Sequence, residues 1–179
     1  MPQLTPDQAI TILNVVGLPS INAERPITKA VIAAIPAGKA NFQPDPIARP
    51  ALELAWHIVM AEKRFLDAVA AGAFDLTPKP KPDSIRTPAD VVAWHDRELD
   101  GCVDRLKRMT GEQLIAPIDF RGMFKFPAVV YVQLAMSHTV HHRGQLSMYL
   151  RPMGAKVPSI YGESYDAREE RERAAQVKG

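Results

Sequence analysis

Apolar residues recur three and four positions apart along four long stretches of the chain, the spacing that puts them on one face of a helix. The stretches cover residues 22–38, 51–72, 88–111 and 127–151. Prolines and glycines punctuate them. The first stops at Pro36 and Gly38, the second at Gly72, and the last around Pro152 and Gly154. Thr87 reads as an N-cap with Pro88 at the first helical position, and Pro127 opens the last helix. A short extra helix is predicted after Thr5, with Pro6 in its first turn. Between the long segments lie the proline-rich FQPDPIARP and FDLTPKPKPDSIRTP, which read as extended connections. EQLIAPIDFRGMFKF reads as irregular, a short turn or an extended hairpin. The pattern holds no repeat and no convincing alternating strand. It predicts an all-α fold, a four-helix bundle with long loop connections. Residues 1–162 form its single domain, and the charged tail 163–179 is expected to fray or to add a solvated helical turn.

Composition narrows the picture. The chain has 179 residues, 46% of them hydrophobic, which suits one domain with a real core. Its net charge is +2 with scattered basic residues, so no stripe follows a phosphate backbone and nucleic acid is not an expected partner. No apolar run approaches membrane-spanning length and no signal peptide is evident, which points to the cytoplasm. A single cysteine, Cys102, forms no internal disulfide and reads as a small core residue.

The candidate chemistry is concentrated in SHTVHHRGQL, residues 137–146. His138 and His142 are four apart and share a face with Tyr131, Leu134, Ala135, Gln145 and Tyr149, so that face points inward. Two imidazoles at this spacing converge on one metal ion, or else serve as buried hydrogen-bonding groups. His141 is rotated towards the flank, where it either stands apart from the site or supports a ligand from behind. His57 lies on another long helix, at the edge between the apolar arc of Leu54, Ile58, Ala61 and Phe65 and the polar sector of Glu53 and Arg64. Glu62 falls within the apolar arc, where a carboxylate needs a reason. It either accepts from the far nitrogen of one of the histidines or reaches solvent or a Lys or Arg. Gln145 and Tyr149 either line a pocket or mark the core boundary. Arg143 is expected to pair with a neighbouring carboxylate, and Gly144 to let another helix approach closely. His95 reads as a satisfied boundary histidine. Trp56, Met60, Phe65 and Met136 read as core.

LAWHIVMAEKRFLDAV followed by AMSHTVHHRGQLSMYLRPMGAKVPSIYG resembles the DinB-like superfamily, bacterial proteins named for DNA-damage induction. The resemblance runs from about residue 22 to residue 162. It implies a four-helix bundle of up-down-down-up order, often a homodimer. It also implies one divalent metal ion, commonly zinc, nickel or iron, held by His57, His138 and His142. Characterised members include transferases and isomerases that use low-molecular-weight thiols, and iron-dependent members occur in thiol-histidine biosynthesis. The expected function is therefore a metal-dependent transferase that activates a small thiol. The alternatives are a metal-dependent hydrolase that activates water, and a non-catalytic, damage-inducible metal-binding protein.

Overall fold

Three threonines start helices in the same way: the hydroxyl accepts from the backbone N–H three residues on, and that residue's side chain returns a bond to the threonine N–H. The pairs are Thr5 with Gln8, Thr87 with Asp90, and Thr110 with Gln113. The computed structural model describes residues 4–177, which are mostly helical. α1 (Pro6–Ile12) runs through a π-helical turn (Leu13–Gly17) directly into α2 (Leu18–Ala33). The sequence suggested two separate helices here. The wider turn, in which Leu18 N–H bonds back to Leu13 O, carries the helix past Pro19. Gly17 permits contact with the last long helix, because a Cβ there would meet Val132 at 3.2 Å. Pro26 sits inside α2 on an exposed position, where its missing N–H costs least.

α3 (Ala51–Ala71) ends at Gly72, whose φ of 74° makes the left-handed cap that glycine tolerates best. α4 (Pro88–Lys107) and the short α5 (Gly111–Ile115) follow. β1 (Pro117–Phe120) and β2 (Phe124–Pro127) form an antiparallel hairpin, with Ile118 opposite Phe126 and Phe120 opposite Phe124. The hairpin qualifies the all-α expectation. Arg121 (φ 56°) and Gly122 (φ 69°) turn it, and Asp119 accepts from Gly122 N–H. α6 (Ala128–Leu150) starts after Pro127. α7 (Tyr165–Val177) is a solvated helix with no buried residue, longer than the single turn expected of the tail. Arg151–Asp166 and Lys156–Glu170 ion pairs tie it to the preceding chain. α3 packs on α4 and α6, and α2 packs on the same two helices.

The core is two apolar clusters stacked along these helices. One gathers Leu13, Ile21, Leu66, Leu99, Tyr131 and Val132. The other gathers Val31, Leu54, Ile58, Val91, Leu146 and Leu150. On each long helix polar side chains fall between the two: Glu24 and Thr28 on α2, Glu62 on α3, His95 on α4, and His138, Thr139, His142 and Arg143 on α6. Every buried polar residue among those described lies in this layer. Arg143, fully buried, donates to Glu24 at 2.5 Å, to Thr28 at 3.2 Å and to Tyr161 at 2.6 Å. It pairs with a neighbouring carboxylate as expected, and it anchors the returning segment after α6. Gly144 does not behave as expected: a Cβ there would meet nothing within 4 Å, so no helix approaches it.

Candidate metal centre

α3 and α6 are the most extensively packed pair of helices, and their contact sets the site. His57 projects from α3 towards His138 and His142 on α6. The three rings lie with centroids 4.4–4.9 Å apart. One nitrogen from each falls within 4.8 Å of the others, a group that could hold a metal ion. His57 Nε2 and His142 Nε2 are 3.3 Å apart. Zinc–nitrogen bonds of about 2.0–2.1 Å at a tetrahedral angle put two ligand nitrogens about 3.3–3.4 Å apart. The His57–His142 pair has that spacing, and the group could hold one divalent ion through three imidazoles and no carboxylate.

The electrostatics keep His57 and His138 in their ligand form. Burial holds the His57 pKa down at about 4, with Arg49, the other two histidines and Arg64 opposing its charging as well. Burial likewise lowers His138 to about 4, helped by His142, His141 and Arg49. Neutral imidazole is the state that binds metal. Gln145 Oε1 lies 3.0 Å from His142 Nδ1. An amide oxygen only accepts, so Nδ1 carries the proton and Nε2 presents its lone pair to the centre. Gln145 thus orients a candidate ligand. His138 Nδ1 is buried with no partner.

The other residues singled out by sequence separate from this group. His141 is exposed and only packs its ring against that of His142. Tyr149 is buried in the second apolar cluster, edge-on to Phe42. Glu62 is not a partner of the three histidines: its carboxylate meets His95 Nε2 at 3.0 Å, both side chains being almost fully buried. Nor, among the described residues, does it reach solvent or a Lys or Arg. His95 is accordingly a core residue rather than a boundary one. Cys102 is buried as expected, and its burial, then the nearby Asp67, push its thiol up to about 12.

A cavity of about 180 Å³ opens beside His57 and His138. Phe65, Phe74, Phe120, Met60 and Leu76 give it an apolar wall, and Arg64 and Arg121 are its cations. Phe65 stacks on Phe120 at 6.0 Å, and Phe74 meets Phe120 edge-on at 4.8 Å. Arg64 and Arg121 were missed in the sequence. Arg64 falls seven residues after His57, two helical turns along the same face, and that spacing could have found it. Arg121 comes from the hairpin, which no helical periodicity reveals.

The chain is similar in sequence to YjoA, an uncharacterized protein of Bacillus subtilis (strain 168). The two are 29% identical over 135 residues, which span 74% of this chain and 85% of that one. The crystal structure of the DinB-like protein YjoA superposes with a TM-score of 0.67 at 24% identity, covering 83% of this chain and 99% of that one. A DinB-like protein of Bacillus cereus ATCC 10987 superposes with a TM-score of 0.68 at 21% identity, covering 81% and 95% respectively. At these identities the superpositions speak to fold alone. The sequence profile of the DinB family matches residues 14–173, nearly the whole length, and the chain belongs to the DinB family.

Proposed function

We propose that this protein is a metal-dependent transferase that passes a small thiol to an electrophilic substrate. The observation that carries the reading is the three-histidine group together with the apolar, arginine-bearing cavity beside it. A divalent zinc, nickel or iron ion held there would lower the pKa of a coordinated thiol and keep it as the nucleophilic thiolate. Three protein ligands leave room for such a co-substrate, where a structural site would be closed. The phenylalanine wall would give the reacting sulfur an apolar surround, and Arg64 and Arg121 offer charge to an anionic group on either reactant. The sulfur lone pair forms the new carbon–sulfur bond, the leaving group departs with its electron pair, and the thiol proton goes to solvent.

Hydrolysis would call for a carboxylate base beside the ligands. The inward carboxylate of α3, Glu62, is instead taken up by His95. This weighs towards transfer.

The test supplies zinc-, nickel- and iron-loaded protein with cysteine or glutathione and a haloaromatic electrophile, and follows thioether formation. Native protein is expected to exceed the uncatalysed rate, and His142→Ala to fall to it. Thioether formation undiminished in His142→Ala, or ester cleavage that needs no thiol, would overturn the reading.

A further inference from the structure

A second cavity, of about 280 Å³, lies on the other side of Met60 and Arg64. Trp56 and Met60 of α3, Trp94 of α4, and Pro80 and Pro82 of the connection before α4 enclose it. The two indoles meet edge to face with centroids 4.6 Å apart and form a rigid apolar wall. Three cations border the space, and their partners differ. Lys63 is held by Asp67 at 2.5 Å and Lys79 by Asp75 at 2.8 Å. Arg64 has no carboxylate partner among the described residues. Its Nη2 donates to Thr77 O at 3.2 Å, which fixes the guanidinium plane. Its Nε is buried and has no acceptor.

A buried guanidinium N–H without an acceptor is costly, and the planar fork matches a carboxylate better than any other common group. Arg64 also stands about 10 Å along α3 from His57, at 1.5 Å per residue. Arg64 lines both cavities, so a carboxylate held by it lies between the indole-walled cavity and the cavity beside the histidines.

We infer that Arg64 is a recognition residue for the carboxylate of a small molecule whose flat apolar body rests against Trp56 and Trp94. The inference rests on the proposed function only in making that molecule one of the two reactants. Binding itself needs no metal.

The chain has two tryptophans, and both line this cavity, so intrinsic fluorescence reports on it directly. Full-length protein, metal-loaded and chelator-treated, is titrated with 4-phenylbutyrate and with its uncharged amide. N-acetylcysteine, a carboxylate without a flat apolar body, forms a second arm. The expected result is a saturable fluorescence change with 4-phenylbutyrate, and a weaker one or none with N-acetylcysteine; binding of N-acetylcysteine alone would overturn the inference. The amide, and the acid added to Arg64→Gln, should each bind about tenfold more weakly, the scale of one charge-assisted hydrogen bond. Arg64→Lys, which keeps the charge, should retain a preference for acid over amide, and it stands in if Arg64→Gln fails to fold. Equal binding of acid and amide, undiminished binding by Arg64→Gln, or no saturable response up to millimolar concentration would overturn the inference. Metal-dependent thioether formation in protein that fails this test would leave the proposed function standing. Acid binding in protein that takes up no metal would do the reverse.

Discussion

The polar layer between the two apolar clusters has two differently built halves. In one, His95 meets the Glu62 carboxylate and the pair is closed off, about 2% exposed on each side. In the other, His57, His138 and His142 face one another with arginines nearby and a cavity alongside. A buried imidazole beside a carboxylate finds its partner within the protein. In the three converging imidazoles one nitrogen of each ring points at one place, and His57 and His138 are kept from charging by burial and by the neighbouring rings. Such a cluster gains most from an external cation. The same residue type thus serves as internal packing on one side and as a candidate ligand set on the other, and neighbouring charge decides which.

The sharpest way to break this comparison is to truncate one histidine on each side. His142→Ala should weaken metal binding by more than about 1,000-fold, since one of three protein ligands is lost. His95→Ala should leave metal affinity unchanged in folded protein. Competition with a chromogenic chelator measures both. Metal loss in His95→Ala would mean that the two halves act as one site.

Stability should show the opposite asymmetry. Glu62→Ala leaves the buried His95 Nε2 without its partner and opens a cavity, and should cost about 2–5 kcal/mol in urea unfolding. Glu62→Gln keeps an acceptor oxygen and should cost about 1–2 kcal/mol. Neither should change the metal stoichiometry of folded protein. A loss under 1 kcal/mol for Glu62→Ala would show that the pair contributes little to the core.

Smaller effects refine the ligand half. Gln145→Ala frees the His142 ring to rotate and should lower metal affinity about tenfold with little change in stability. Tyr161→Phe removes the hydroxyl that bridges Arg143 and Glu24 at the layer's edge. It should cost about 0.5–1.5 kcal/mol in thermal or urea unfolding and leave metal affinity alone.

The long helices were legible because their ends carry local chemistry: the Thr87 cap, the Gly72 left-handed turn, Pro127 ahead of α6. The continuity of α1 and α2 was not, since a π-helical turn is an accommodation to packing against α6 and leaves no periodic mark. The hairpin is too short, four residues a strand, for alternation to declare itself. In the layer, the inward position of Glu62 was visible from its neighbours, but its partner lies on another helix that the wheel does not show. Arg64 was placed with solvent because a helical wheel ignores the connection that folds over it, where Thr77 holds its guanidinium. The grouping of His57 with His138 and His142 came from family resemblance, and the α3–α6 packing brings the three rings together.

Elemental analysis decides whether the three histidines hold one metal ion. Untagged protein, and the same protein stripped and reloaded with zinc, nickel, iron or manganese, should carry about one divalent ion per chain, as a single three-histidine centre requires. His57→Ala and His142→Ala, still folded by circular dichroism, should carry almost none. Native protein that stays folded and takes up no ion from any of the four would contradict the account.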